Sequence, residues 1–339
     1  MTGLLGGCYT LKSAYHQMQM LSSTESYESA LNRKEITNDE KSKLKLALSV
    51  IEFTKTEFKL ESDGNYSNVV WLDRPYVTWV VSAAYKWELK SHEWYFPIVG
   101  KVPYLGFFNE SEAKSEEKVL AEKDYDTYLR GVSAYSTLGW FKDPLLSSML
   151  RYEERDLVET LIHELVHTTF WVKNSVDFNE RLASFLGQKG ALIFYERVEG
   201  ADSPTAELIR AESSDEVLFS EFITDELKSL SEWYKQIQIE NRTEELRQNR
   251  IKEIQNRFIK EIKPKLKSNR WNRFSEIKLN NARLAGYRTY VSDFSNFENA
   301  WGCSQSDFSN FFNLIEPLKK SKNPDKDLKD LILKKCTVE

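Results

Sequence analysis

Four histidines occur in this 339-residue chain, His16, His92, His163 and His167, so any chemistry that needs imidazole is assembled from these. Two of them stand in His163-Glu164-Leu165-Val166-His167, the pattern H-E-x-x-H. On a helix, positions i and i+4 lie one turn apart on one face. Both rings can therefore converge on a single Zn²⁺ while the intervening Glu164 reaches a water at the metal. Zinc lowers the pKa of such a water and polarises a substrate carbonyl; the glutamate takes the water's proton and passes it to the leaving amine. That is metal-assisted amide hydrolysis of a peptide substrate. Leu161, Ile162, Leu165 and Val166 keep the flanks uncharged, as a buried metal helix requires. The competing reading is a helix that buries two histidines among leucines.

A catalytic zinc needs a third protein ligand and an open position. No histidine follows His167, and with His16 and His92 assigned to other elements the third ligand is a carboxylate. Asn179-Glu180-Arg181-Leu182-Ala183-Ser184 resembles the glutamate-ligand helix of the gluzincin class of metallopeptidases. The resemblance implies Glu180 as ligand and Ser184, where Asp is more usual, as the group that orients the first histidine. Asp177 competes for the third position, although at a helix N-cap it already serves backbone N–H groups. A tyrosine hydroxyl is the donor expected for the tetrahedral intermediate. Tyr287 and Tyr290 share one predicted helix with Asn280 and Asn281 and are candidates; the alternative is that all four are ordinary core and surface residues. Asp143 and Glu159 are candidate anchors for a substrate ammonium group.

These residues must be held by their elements. Hydrophobic spacing predicts helices over 10–22 and 38–58, the two forming a hairpin. Aromatic and β-branched runs at 69–71, 76–81, 94–96 and 104–107 predict a small sheet. Asn109 and Glu112 resemble a capping box opening a helix to 125, and 128–138 reads as a strand. Its stretch Gly131–Gly139 is placed to pair with an extended peptide. The motif helix is expected over 153–172, the Glu180 helix over 177–197, and a turn near 172–175 between them. Further helices are expected over 203–211, 214–239, 243–262, 272–290, 294–301, 305–319 and 325–335.

Lysine and arginine number 47 against 52 aspartates and glutamates, a net charge of -5, which argues against a nucleic-acid partner. With 41% hydrophobic residues the chain is too apolar for disorder, and no apolar run is long enough for a membrane-spanning helix. Leu5-Gly6-Gly7-Cys8 resembles a bacterial lipobox, which implies lipidation of Cys8, a membrane-surface anchor and an envelope location facing the periplasm or exterior. A small cysteine in a Gly-rich start is the alternative. In an oxidising compartment Cys303 and Cys336 would be left as a possible disulfide pair; in a reducing one they are two thiols.

The stretches Gly7–Met18, Gly139–Leu145, Thr160–Thr168, Phe178–Phe185 and Leu279–Tyr290 together resemble the predicted aminopeptidase family of bacterial lipoproteins over nearly the whole chain. The resemblance implies a zinc aminopeptidase of the gluzincin type, with His163, His167 and Glu180 as ligands, Glu164 as base and Cys8 as lipid site. The fold it implies is α+β: an anchor segment 1–9, the helical hairpin 10–62, a zincin-like catalytic core 63–200 with a small, mostly antiparallel sheet, and an all-helical region 201–339 that completes the cleft. A zinc endopeptidase, or an envelope lipoprotein with a structural metal, is the alternative.

Overall fold

The computed structural model describes residues 18–61, 64–96, 100–134, 142–290 and 294–336, with the side chains of 289 and 290 outside the description. Cys8, His16 and most of the predicted first helix, as well as much of the Gly131–Gly139 stretch, lie outside the described residues. The architecture is α+β. Among the described residues, eight short strands, β1 (Glu25–Ser26), β2 (Asn68–Val70), β3 (Thr78–Tyr85), β4 (Trp94–Phe96), β5 (Gly100–Val102), β6 (Tyr104–Phe107), β7 (Tyr125–Val132) and β8 (Leu145–Leu146), form three small sheets among helices. β6-β3-β7 is antiparallel and leaves β7 at its edge, β4-β5 is a hairpin, and in β1-β2-β8 the β2–β8 pair is parallel.

The N-terminal helix runs Asn38–Glu57 and opens on a capping box in which Thr37 and Glu40 satisfy each other's backbone N–H groups. The helix predicted from Asn109 runs Glu110–Glu122, and Asn109 Oδ1 accepts from Ser111 N at 2.8 Å. Two expectations are corrected. The break predicted at 212–213 is absent: Pro204–Gln236 is one helix of 33 residues. The polar run Glu212-Ser213-Ser214-Asp215 reads as a break in sequence, but its acids are buried against cations. Arg155 Nη2 lies 3.0 Å from Glu212, and Asp215 accepts from the backbone of Lys267 and Ser268 at 2.8 and 2.7 Å. The helix predicted from 272 begins only at Asn281. Asn280 is its cap, Oδ1 accepting from Arg283 N at 2.9 Å while Nδ2 donates to the Thr127 carbonyl of β7 at 2.8 Å.

One apolar core joins the Asn38–Glu57 helix, β2, β8, the motif helix (Glu154–Thr169), the glutamate helix (Val176–Val198) and the C-terminal helices from Phe294 to Leu328. A second gathers Phe219, Phe258, Phe274 and their neighbours under the rim helix (Asn281–Tyr290). Leu161, Ile162, Leu165 and Val166 are all sealed in the first core, as the uncharged flanks of the motif require. Among the described residues no helix is long and apolar enough to cross a membrane.

Cys303 and Cys336 form a disulfide that ties helix Ser295–Cys303 to helix Pro324–Lys335, 33 residues apart in sequence. Loop closure of this length restricts the unfolded chain by about 3–4 kcal/mol. Thermal melts with and without a reductant, repeated on Cys303→Ser, are expected to show that loss, in equal size by either route.

Candidate metal centre

The motif helix and the glutamate helix pack side by side, and the glycines of the second allow it. A Cβ on Gly187 would stand 3.0 Å from the Glu159 carbonyl oxygen and 3.4 Å from His163 Cβ; one on Gly190 would stand 2.9 Å from Ile162 Cγ2 and 3.0 Å from Phe58 Cε2. The connection is held by Asn179, which is buried. Its Oδ1 accepts from Val172 N at 2.9 Å and its Nδ2 donates to the Val172 carbonyl at 2.8 Å, folding the loop back onto the start of the helix. Glu180 follows directly and faces the histidines. On the far side the C-terminal region grips the same helix: Arg181 Nη2 lies 2.6 Å from Asp325 Oδ1, and Lys189 Nζ 2.9 Å from Glu298 Oε1.

Three side chains meet at this junction. His163 and His167 place their Nε2 atoms 3.1 Å apart, and Glu180 oxygens lie 3.4 Å from the first and 3.6 Å from the second. Bonds of 2.0–2.1 Å to a tetrahedral ion put neighbouring ligand atoms about 3.3 Å apart, so the spacing and the donor set both fit Zn²⁺. Among the described residues, His163, His167 and Glu180 are the group of acids, cysteines and histidines whose ligand atoms converge on one point. Burial alone would raise the Glu180 carboxyl, yet the facing His167 and His163 rings hold it well below the usual carboxylate range. His167 is buried, with the Trp171 ring 5.4 Å away and its Nδ1 without a hydrogen-bond partner among the described residues.

Glu164 lies within reach of the charges of this junction. Burial pushes its carboxyl up to about 7, against the pull of His163 and with Glu180 and Asp143 adding to the rise. Asp143 is itself buried and rigidly placed: its N–H donates to Asn65 Oδ1 at 2.7 Å and its carbonyl accepts from Tyr66 N at 2.5 Å. Two phenols not singled out from the sequence share this neighbourhood. Burial, with the Glu164 and Asp143 charges, pushes the Tyr66 hydroxyl well above its usual value. Burial also raises the Tyr152 hydroxyl, with Ser133 and the Arg130 charge acting against the rise and the Glu164 charge with it. Tyr66 is sealed, while Tyr152 is half-buried. The placement of Tyr66 goes with a pairing of Asn65 with Asp143 across 78 residues, which no local pattern announces.

The remaining expected site residues are placed as follows. Asp177 lies outside the converging group, lining a cavity at the start of the glutamate helix. Ser184 is half-buried and makes no hydrogen bond to either histidine among the described residues. Glu159 is held by Arg270, whose Nη2 lies 3.1 Å from its Oε1. Asn280 and Asn281 spend their amides on structure: Asn281 Nδ2 donates to the Tyr85 and Lys86 carbonyls at 2.8 and 2.9 Å. The Tyr287 ring packs 5.6 Å from Phe219 and 5.5 Å from Phe274, and burial pushes its hydroxyl up to about 12 against the pull of Arg283. His92 packs against Trp94 and Tyr125, at 4.5 and 5.0 Å between rings.

If the glycine contact sets the ligand spacing, Gly187→Ala separates stability from metal retention. The variant is expected to lose about 1–3 kcal/mol of stability and, when both proteins are loaded with added zinc, to give it up to a competing chromophoric chelator more readily than wild type. Gly190→Ala, which crowds only the Ile162 and Phe58 side chains, is expected to lose stability with a smaller change in release.

No curated protein matches the chain, and no solved structure does. The family model described as "Putative aminopeptidase" matches residues 8–329. The converging ligands lie inside that span, and the chain belongs to this family.

Proposed function

We propose that the protein is a zinc-dependent peptidase of the gluzincin type, acting as an aminopeptidase, with His163, His167 and Glu180 holding the metal and Glu164 as general base. The observation that carries this reading is the junction of three ligand atoms within 4.8 Å of one another, with the Glu164 carboxyl beside them. Only three protein ligands converge among the described residues, which is the count of a catalytic rather than a coordinatively closed structural site. When bound, zinc supplies Lewis-acid polarisation of the scissile carbonyl and acidifies the attacking water.

The chain's own groups do the rest. Glu164, next in sequence to His163, accepts the water proton at its carboxylate and returns it to the leaving amine. Tyr152, near Glu164 and only half-buried, is the phenol we assign to the developing oxyanion. It takes the role expected of Tyr287, whose ring is engaged in the aromatic core, or of Tyr290. Glu159 is paired with Arg270, and Asp143, whose charge reaches Glu164, is the carboxylate we assign to a substrate ammonium group. β7, at the edge of its sheet, is the strand an extended peptide would pair with. The Cys303–Cys336 disulfide supports an oxidising compartment, in keeping with an envelope location and a lipid anchor at Cys8.

Chelation is expected to abolish hydrolysis of unblocked peptides, and zinc to restore it. N-acetylated peptides should resist cleavage; their hydrolysis at the same rate would point to an endopeptidase. Glu164→Gln is expected to lower kcat by about 10²–10⁴ with zinc content unchanged, and activity that survives both this change and metal removal would sink the proposal. Tyr152→Phe is expected to lower kcat by roughly 10²–10³ while KM moves little; an unchanged kcat would return the oxyanion role to another donor.

A further inference from the structure

Two cavities with a shared wall open between the β4–β5 hairpin, β6 and the rim helix. The larger, about 490 Å³, starts at Ser175–Asp177, one turn before Glu180, and is lined by Lys90, Lys101 and Arg288 with Glu93. Ser91 and Pro103 line both it and the second, of about 280 Å³. Together they have the size of sites that hold small ligands, roughly 300–1,000 Å³. The second cavity is chemically one-sided. Arg130 of β7 and Arg283 of the rim helix line it among Tyr104, Tyr128 and Tyr287, and among the described residues no Asp or Glu contributes to its walls.

Arg283 is half-buried and is held without a carboxylate partner among the described residues. Its guanidinium lies 4.7 Å from the centre of the Tyr128 ring, and Nη1 donates to the Lys278 carbonyl at 3.5 Å. In a chain of net charge -5, a cavity lined by the Arg283 guanidinium, with no acid among its described lining residues, is a local reversal of sign that attracts anions. The planar fork of an arginine matches a carboxylate in particular. The cavity is also tied to the metal centre. The rim helix packs on the glutamate helix as well as on β3 and β7, and the charges of Arg130 and Glu164 both reach the Tyr152 hydroxyl.

We propose that the Arg283–Arg130 cavity is a carboxylate subsite of the substrate cleft, selecting peptides whose C-terminal carboxylate or acidic side chain reaches it. This rests on the peptidase reading of the metal centre, but its binding step does not require turnover. The test is calorimetric binding to the intact, chelator-stripped protein of trialanine, trialanine amide, and the same amide with glutamate in place of its last alanine. One or both carboxylate-bearing peptides are expected to bind about 10- to 100-fold more tightly than the neutral amide, and the tighter of the two identifies the source of the carboxylate. Arg283→Gln is expected to bring the three affinities together, and Arg283→Lys, which keeps the charge but not the fork, to retain part of the preference. Should the glutamine variant fail to fold, the lysine variant carries the test alone. Equal affinity of the wild type for all three peptides, or an undiminished preference in the variants, overturns the proposal. With zinc restored, tight acid-selective binding without hydrolysis of any peptide would overturn the peptidase reading and leave the carboxylate site standing.

Discussion

Packed helices ordinarily keep their axes about 8–10 Å apart, a distance set by the side chains at the contact. Gly187 and Gly190 remove the side chains that would hold the motif and glutamate helices apart. The closeness at Gly187 is to backbone, the Glu159 carbonyl, so a neighbouring side chain cannot simply swing away to relieve a substituent there. Everything else in the first core works to keep this contact closed: Asn179 folds the connecting loop, Arg181 and Lys189 pair with the C-terminal helices, and Phe185 packs among Phe294, Phe297 and Phe311. The residues after 294 are therefore structural partners of the helix that carries Glu180 rather than an appendage.

The parts of the site that were legible in sequence are those whose geometry is local. His163, Glu164 and His167 sit within one helical turn, and helix periodicity alone puts the histidines on one face. Glu180 was legible at one remove, through the resemblance of its helix to the glutamate-ligand helix of gluzincins, with a short turn bringing the two helices together. Tyr66 was not, since its approach to Glu164 goes with a loop at Asn65 meeting another at Asp143. Asn280 and Asn281 show the opposite error. Their amides are chemically able to face a substrate, but carbonyls of β7 and of the turn after β3 claim them, and those carbonyls are invisible until the strands are placed.

Propensity misled where charge was buried. The acids at Glu212, Asp215 and Glu216 interrupt an apolar pattern and so suggest a break, yet they lie on one face of a continuous helix against Arg155, Arg270 and the 267–268 backbone. Ionised groups so placed are costly unless paired, and the pairing comes from segments far away in sequence. Arg270 reaches Glu159, Glu212 and Glu216 at once, so the same guanidinium that makes the long helix tolerable also clamps the motif helix one turn before His163.

The distribution of charge around the centre follows from this. Beneath the motif helix, acids outnumber the arginines that hold them, and burial raises the Glu216 carboxyl to about 7 despite Arg270. On the side of the rim helix the balance is reversed, with Lys90, Lys101, Arg288, Arg130 and Arg283 lining the two cavities against Glu93 and Asp177. A peptide is itself a dipole, positive at its amino end and negative at its carboxyl end. Under the peptidase reading, acids at Asp143 and Glu164 on one side and guanidiniums on the rim-helix side would give such a molecule a preferred direction, its amino end towards Glu164 and its carboxyl end towards the rim helix.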